Sequence, residues 1–241
     1  MTFSPLGDSA VVVTLGSSID ESTLLHVRSL AAALEHERAA GIVDVVPAYT
    51  TVTVFYDIAA VPANGVLAYE RIQRLIAERA ARVEHSWPDL VRMKFGGAKT
   101  DKAAREIEIP VCYGGEFGPD IEDVARHCGV RPPEVIALHS EADYLVHAVG
   151  FAPGFPYLGG LPEKLHTPRR PTPRTSVPAG SVGIGWMQTG IYPLATPGGW
   201  QLIGRTPLAL FQPGENPPAR LRVGDKVKFR TITPEEFATW K

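Results

Sequence analysis

The chain has 241 residues, 44% of them hydrophobic and 21% charged, enough for one large or two small folded domains. Its net charge of −2 leaves no basic surplus to bind nucleic acid or an acidic membrane surface. No run approaches the ~20 apolar residues of a membrane span, and Ala10–Val13 is too short an apolar run for a signal peptide, so the expected location is the cytoplasm.

The first ~80 residues are periodic and poor in Gly and Pro. Ala10–Leu15 reads as a strand. Ser18-Ile-Asp-Glu21 fits a capping box, and Leu24, Val27, Leu30, Ala31 and Leu34 follow at helical spacing until Gly41. Ile42–Val46 and Thr50–Tyr56 read as strands, the second with Val52 and Val54 alternating with Thr51 and Thr53. A second helix is expected from about Asn64 to Arg82, with Leu67, Ile72, Leu75 and Ile76 on one side. The order β-α-β-β-α is one strand short of a ferredoxin-like unit, and the Ile107–Val111 region is a candidate for the fourth strand.

Residues 84–105 are polar and aperiodic, a linker or crossover between a domain at 1–83 and one at 106–241. Beyond it Gly and Pro become dense and turns recur every 8–12 residues, the pattern of an all-β barrel or sandwich. Helices are expected at Pro119–Cys128, followed by Gly129, and at Pro133–Ser140. Strands are expected at Tyr144–Val149, Ser181–Trp186, Trp200–Arg205 and Lys226–Ile232, the last after a Gly224-Asp225 turn.

Several chemical motifs fail on inspection. Gly96-Gly-Ala-Lys-Thr100 lacks the first Gly and the Gly-Lys pair of a phosphate-binding loop. Gly180-Ser-Val-Gly183 has Ala179 where a nucleophile elbow needs Gly. His36-Glu37 has no second His four residues on, and the other histidines show no metal-ligand spacing, so no metal site is expected. Cys112 and Cys128 suit small buried hydrophobes. Only His139, closing a helix before the motif-rich region, stays open as a catalytic group.

Chemistry concentrates in Gly150–Thr206. Phe151-Ala-Pro-Gly-Phe-Pro-Tyr-Leu-Gly-Gly-Leu-Pro162 should form an irregular, rigid loop holding Phe151, Phe155 and Tyr157 as one wall of a ligand pocket or interface. Pro168-Arg-Arg-Pro-Thr-Pro-Arg174 carries three guanidiniums, Arg169, Arg170 and Arg174, on a stiff segment suited to a carboxylate or phosphate, with Arg169 and Arg174 the candidate binding groups. Gln188-Thr-Gly-Ile-Tyr-Pro193 adds Gln188, Thr189 and Tyr192; the Gln188 amide matches a lactam or urea-like group.

Val111–Asp120, Gly150–Leu161, Val177–Ile184, Gln188–Pro193 and Pro197–Pro207, in this order, resemble the family of 5-oxoprolinase B subunits, also called KipI-like or allophanate hydrolase subunit 1. The likeness extends to Leu6–Ala10 and Thr51–Asp57. The resemblance implies a ferredoxin-like N-terminal domain followed by a cyclophilin-like barrel. It also implies two partners: a biotin-dependent-carboxylase-like chain, the C subunit of the enzyme, and its A subunit. The complex opens 5-oxo-L-proline to L-glutamate using ATP, with Mg2+ expected alongside; this chain has no nucleotide motif of its own. Within the resemblance, a family member that inhibits a sensor histidine kinase and urea carboxylases that act on amides mark two other functions. A barrel of this type does not by itself imply prolyl isomerase activity. One departure is Gly185-Trp-Met187, where the family usually carries Ala-Gly-Gly; Trp186 and Met187 are expected to narrow a pocket or to pack on a partner.

Overall fold

The structure is a computed structural model that describes residues 1–36, 38–61, 65–95 and 105–240, without the side chains of 84–95. The chain divides into two compact units, Met1–Ala103 and Ala104–Lys241. Among the described residues no helix is long and apolar enough to cross a membrane.

The first unit contains β1 (Thr2–Pro5), β2 (Ala10–Thr14), α1 (Glu21–His36), β3 (Ile42–Ala48), β4 (Thr51–Tyr56) and α2 (Ala68–Phe95). The strands form one antiparallel sheet in the order β1-β2-β4-β3. Alternation along β2 and β4 places Val11, Val13, Val52 and Val54 on one face, where they meet Val27, Leu30 and Leu34 of α1 and Ile72 and Ile76 of α2. That apolar stripe against an apolar sheet face is what holds this unit together.

Three expectations change here. The fourth strand is β1, at the very N-terminus, which pairs with β2 at Phe3↔Val13; Ile107–Val111 belongs to the other unit. The cap of α1 is Asp20, not Ser18: its Oδ1 accepts the Thr23 N–H at 2.7 Å and its carbonyl the Leu24 N–H at 3.0 Å. That bond holds the Asp20 carboxyl below its usual range. The second helix does not stop at Arg82 but runs to Phe95, across half of the expected linker. Glu37, Asn64, the Gly96–Thr100 stretch and the rest of that linker to 104 lie outside the described residues, as does the side chain of His85.

The second unit contains β5 (Glu106–Tyr113), α3 (Ile121–Cys128), α4 (Pro132–Glu141), β6 (Tyr144–Val149), β7 (Pro156–Gly159), a 3-10 turn at Glu163–Leu165, β8 (Arg174–Val177), β9 (Ser181–Gly185), β10 (Gln188–Ile191), β11 (Thr196–Gly198), β12 (Gln201–Arg205), β13 (Lys226–Thr231) and α5 (Pro234–Ala238). Seven strands close a barrel in the order β10-β7-β6-β13-β5-β12-β9, while β8 and β11 form a separate two-stranded ribbon. Closure leaves the barrel no free edge. Among the described residues of the barrel only β13 and β5 run parallel, with Ile107↔Val227 and Val111↔Thr231 in register.

Ile109, Val111, Val146, Leu158, Val182, Ile184 and Ile191 fill the barrel, and Ile121, Val124, Ala125 and Val135 of α3 and α4 join the same core. Gly129 ends α3 in the left-handed conformation, φ +66°. Gly224 turns the chain into β13 at φ +88°. The buried Asp225 beside it takes both Arg105 Nε, at 3.0 Å, and Arg105 Nη2, tying the start of the unit to its last strand.

Candidate functional site

The site is built on the face of β9 and β10 that the barrel core does not use. Val182, Ile184 and Ile191 point into that core, so Gly183, Gly185 and Gly190 present bare backbone on the other side. A Cβ on Gly185 would lie 2.7 Å from the Trp200 indole, and one on Gly190 would lie 2.8 Å from the Phe155 ring. The absence of these side chains lets two large aromatics lie directly on the sheet.

Around them Phe155, Tyr157, Tyr192 and Trp200 pack edge to face, with ring centroids 4.9 Å apart for Phe155–Tyr157, 5.2 Å for Phe155–Tyr192 and 5.4 Å for Phe155–Trp200. Burial raises the hydroxyl pKa of Tyr157, opposed by Arg169. Burial also raises that of Tyr192, opposed first by the Trp200 backbone N–H and then by the arginines. The exposed Arg169 guanidinium stands 5.7 Å from the Trp200 ring, a cation–π contact at the open side. Gln188, half-buried, begins β10 on the same face as Gly190.

The segment 151–162 is not the irregular loop its Pro and Gly content predicts. Only 150–155 is a tight turn, closed by Gly150 N–H to the Phe155 carbonyl at 3.0 Å; Pro156–Gly159 is barrel strand β7, paired with both β6 and β10. The turn holds Phe151 at φ +68°, exposed, with its ring 5.5 Å from Phe155. Trp186 and Met187 form the two-residue connection from β9 to β10 and stand out from the surface, 60% and 66% exposed.

Of the residues singled out in the sequence, Phe155, Tyr157, Arg169, Gln188 and Tyr192 lie on this side of the sheet, Phe155 and Tyr192 fully buried within the aromatic cluster and Tyr157, Gln188 and Arg169 reaching the surface. Thr189 does not lie there. It is fully buried on the opposite face, where its Oγ1 meets His139 Nε2 at 2.9 Å. His139 Nδ1 meets the Tyr113 hydroxyl at 2.8 Å, so both ring nitrogens are engaged inside the barrel. Burial pushes the imidazole down to about 3. This is the geometry of a core histidine, neutral at working pH, rather than an accessible acid or base.

Arg174 is tied to a carboxylate of the chain itself. Its Nη2 lies 2.7 Å from Asp120 Oδ1, and Arg170 Nη1 lies 2.9 Å from the same oxygen. Asp120 Oδ2 takes the Leu202 N–H at 2.7 Å. Asp120 sits at the start of α3 but makes no side-chain cap bond, so a helix signal in the sequence hid a charge partner fifty residues from the arginines. Asp120, Trp200 and the glycine floor are the parts sequence reasoning did not pick out. The alternation of Gly183 and Gly185 was the available signal for the floor. Among the described residues no group of three His, Cys, Asp or Glu could hold a metal ion. A cleft of about 310 Å³ lies elsewhere in this unit, walled by Cys112, Tyr113, Phe117, Ile136 and Pro234.

Residues 1–221 match the family described as carboxyltransferase domain, subdomain C and D. The chain is 45% identical over 240 residues to the B subunit of the Bacillus subtilis 5-oxoprolinase, covering 98% of this chain and 95% of that one. Among solved structures, TTHA0988 matches 92% of the chain at 34% identity with a TM-score of 0.74, and this chain spans about 40% of that protein's length. The conserved uncharacterized protein PH0987 of Pyrococcus horikoshii is 43% identical, with 98% and 100% of the two chains covered and a TM-score of 0.54.

Proposed function

This chain belongs to the carboxyltransferase domain, subdomain C and D, family, and we propose that it is the B subunit of a cytoplasmic, ATP-dependent 5-oxoprolinase that works with an A subunit and with a carboxylase-like C subunit. The observation that carries the reading is 45% identity along nearly the whole of both chains to a 5-oxoprolinase B subunit. In the same reading the first unit is a ferredoxin-like variant whose edge strand is β1, and the barrel is cyclophilin-like.

A lactam is a poor electrophile. ATP makes it a better one by transferring its γ-phosphoryl group to the amide oxygen with release of ADP; water then adds at the carbon, the ring C–N bond breaks with nitrogen leaving as the free amine, and a second water releases phosphate from the resulting acyl phosphate to give the carboxylate. Two waters are consumed overall, and ADP and phosphate are released. ATP and its Mg2+ are assigned to the assembled complex rather than to this chain. What this chain contributes is orientation and exclusion of water. In this reading half-buried Tyr157, at the rim of the buried aromatic cluster, meets the small ring, the Gln188 amide pairs with the lactam, and exposed Arg169 supplies positive charge at the open side.

The test is ATP hydrolysis dependent on 5-oxo-L-proline, measured with this chain and its A and C subunits purified together. Activity with all three and loss on omitting this chain are expected. Gln188→Ala and Arg169→Ala should each lower kcat/KM at least about tenfold. A complete complex with no response to 5-oxo-L-proline would reject the reading, and wild-type kinetics in both variants would remove the face from it.

A further inference from the structure

We propose that Arg170 and Arg174, held side by side by Asp120, are the subsite for the carboxylate of a small amino-acid-like ligand. The identity of that ligand as a lactam rests on the 5-oxoprolinase reading; the carboxylate subsite itself rests on the geometry.

Both guanidiniums bond one oxygen, Asp120 Oδ1, at 2.9 and 2.7 Å. The second oxygen is taken by the Leu202 N–H at 2.7 Å, and the carboxylate is 3% exposed. Two cations therefore share one anion, and among the described residues neither arginine has a second acidic partner in an ion pair. One positive charge is left over. Each guanidinium also keeps a buried N–H without an acceptor, Arg170 Nε and Arg174 Nη1. Folded proteins rarely leave charged donors so placed without a partner, because the lost hydration is not returned.

The surplus sets the class of ligand. A monoanion balances the cluster of Asp120, Arg170 and Arg174. A carboxylate also offers two coplanar oxygens to two guanidinium donors. The pair is reachable, since the side chains of Arg170 and Arg174 are 33% and 24% exposed.

Two further buried atoms without partners, Thr196 Oγ1 and Gln201 Oε1, lie on the neighbouring segment. That segment is fastened to the arginine loop by Arg170 N–H to the Gly199 carbonyl, 2.7 Å, and by Gln201 Nε2 to the Pro168 carbonyl, 3.0 Å. An amide oxygen beside a carboxylate site suits a ligand whose N–H stands next to its carboxylate-bearing carbon. A cyclic amino acid with a lactam nitrogen has this arrangement. Trp200, which precedes Gln201, places the aromatic face next to the cluster.

The experiment is calorimetric titration of the purified full chain with 5-oxo-L-proline, with 2-pyrrolidinone, which has the same ring and no carboxylate, and with inorganic phosphate. 5-Oxo-L-proline should bind at least about tenfold more tightly than either, since removing a partner of a charged donor costs this much or more. Gln201→Glu places a carboxylate of its own beside the arginines and should remove the preference. Thr196→Val should weaken 5-oxo-L-proline severalfold. Both leave the Asp120 ion pairs intact, and wild-type melting temperatures would show that they fold. No binding to the wild-type chain, equal binding of the two rings, or unchanged affinities in both variants overturns the subsite. The outcome is separable from the enzyme assay. An active three-subunit complex whose KM is unchanged by Gln201→Glu discards the subsite and keeps the function. Carboxylate-dependent binding in an inactive complex does the reverse.

Discussion

His139 and Thr189, fifty residues apart in the chain and both fully buried, meet at 2.9 Å between Nε2 and Oγ1. The Thr189 hydroxyl gives its own proton to the Gly183 carbonyl at 3.0 Å, so it accepts from the imidazole. The ring is then the Nε2–H tautomer, and Nδ1 accepts from the Tyr113 hydroxyl. The chain Tyr113–His139–Thr189–Gly183 links β5, α4, β10 and β9 through the barrel interior. Every atom along it is satisfied only while the imidazole is neutral.

That requirement predicts how stability varies with pH. The ordinary His pKa is 6.5 and burial lowers that of His139 to about 3. Between these values the unfolded chain binds one more proton than the folded one, so stability falls as pH drops below 6.5. The slope contributed is about 1.4 kcal/mol per pH unit. His147, lowered by burial too, acts in the same direction. Urea unfolding at pH 7, 6 and 5 should show this loss before the carboxylates titrate, and His139→Gln should have a visibly shallower dependence. An equally steep slope in His139→Gln would contradict the assignment.

Asp120 predicts a different signature. Asp120→Ala leaves two guanidiniums facing each other without their shared anion, but both can take up water on their exposed side. The cost should therefore sit near the lower end for a broken buried pair, about 2–3 kcal/mol by chemical denaturation. Mutating Asp120 together with Arg170 and Arg174 to apolar residues should recover part of it. A triple variant no more stable than Asp120→Ala would show that the charges were not the cause.

Much of the fold was open to sequence reasoning where the signal is local. Val52 and Val54 alternate with threonines and form β4; Leu30 and Leu34 fall on the buried stripe of α1; Gly129 ends α3. What stayed hidden depends on partners far along the chain. Nothing near Ile107–Val111 indicates that it pairs in parallel with Lys226–Thr231 rather than completing the first sheet. Pro156–Gly159 carries turn residues, yet β6 and β10 on either side make it a strand. The site divides in the same way. Phe155, Tyr157, Gln188 and Tyr192 were visible as unusual residues on stiff or short segments, whereas the link between Asp120 and the arginines exists only once the barrel has closed.

Trp186 occupies the first position of a two-residue connection at φ +59°, a conformation that favours glycine. Its backbone is held there by the Thr167 carbonyl, 2.7 Å from Trp186 N. The ring itself is mostly exposed, so its removal forfeits little packing. Trp186→Gly should stabilise the barrel unit by about 0.5–1 kcal/mol, the relief of left-handed strain set against the entropy of glycine. Trp186→Ala keeps the Cβ and should not. Denaturation of the two variants side by side checks this, and equal stabilities would show that the strain is not where the backbone places it.

Gly190→Ala tests whether the aromatic face depends on bare backbone beneath it. The added Cβ would lie 2.8 Å from Phe155 Cζ and 2.8 Å from the Pro156 carbonyl oxygen, and the second of these cannot move without disturbing the pairing of β7 with β10. Overpacking of this kind costs about 1–3 kcal/mol, and the rigid contact argues for the upper part of that range. Gly150→Ala is the control, since its Cβ would meet nothing within 4 Å, and it should change stability by no more than about 0.5 kcal/mol. Near-ultraviolet circular dichroism follows the rings directly: Gly190→Ala should alter the aromatic signal of Phe155, Tyr157 and Trp200 while Gly150→Ala leaves it unchanged. If both alanines were tolerated equally, the glycine floor would have no part in shaping the site, and the positions of Trp200 and Phe155 would have to be set by the arginine loop alone.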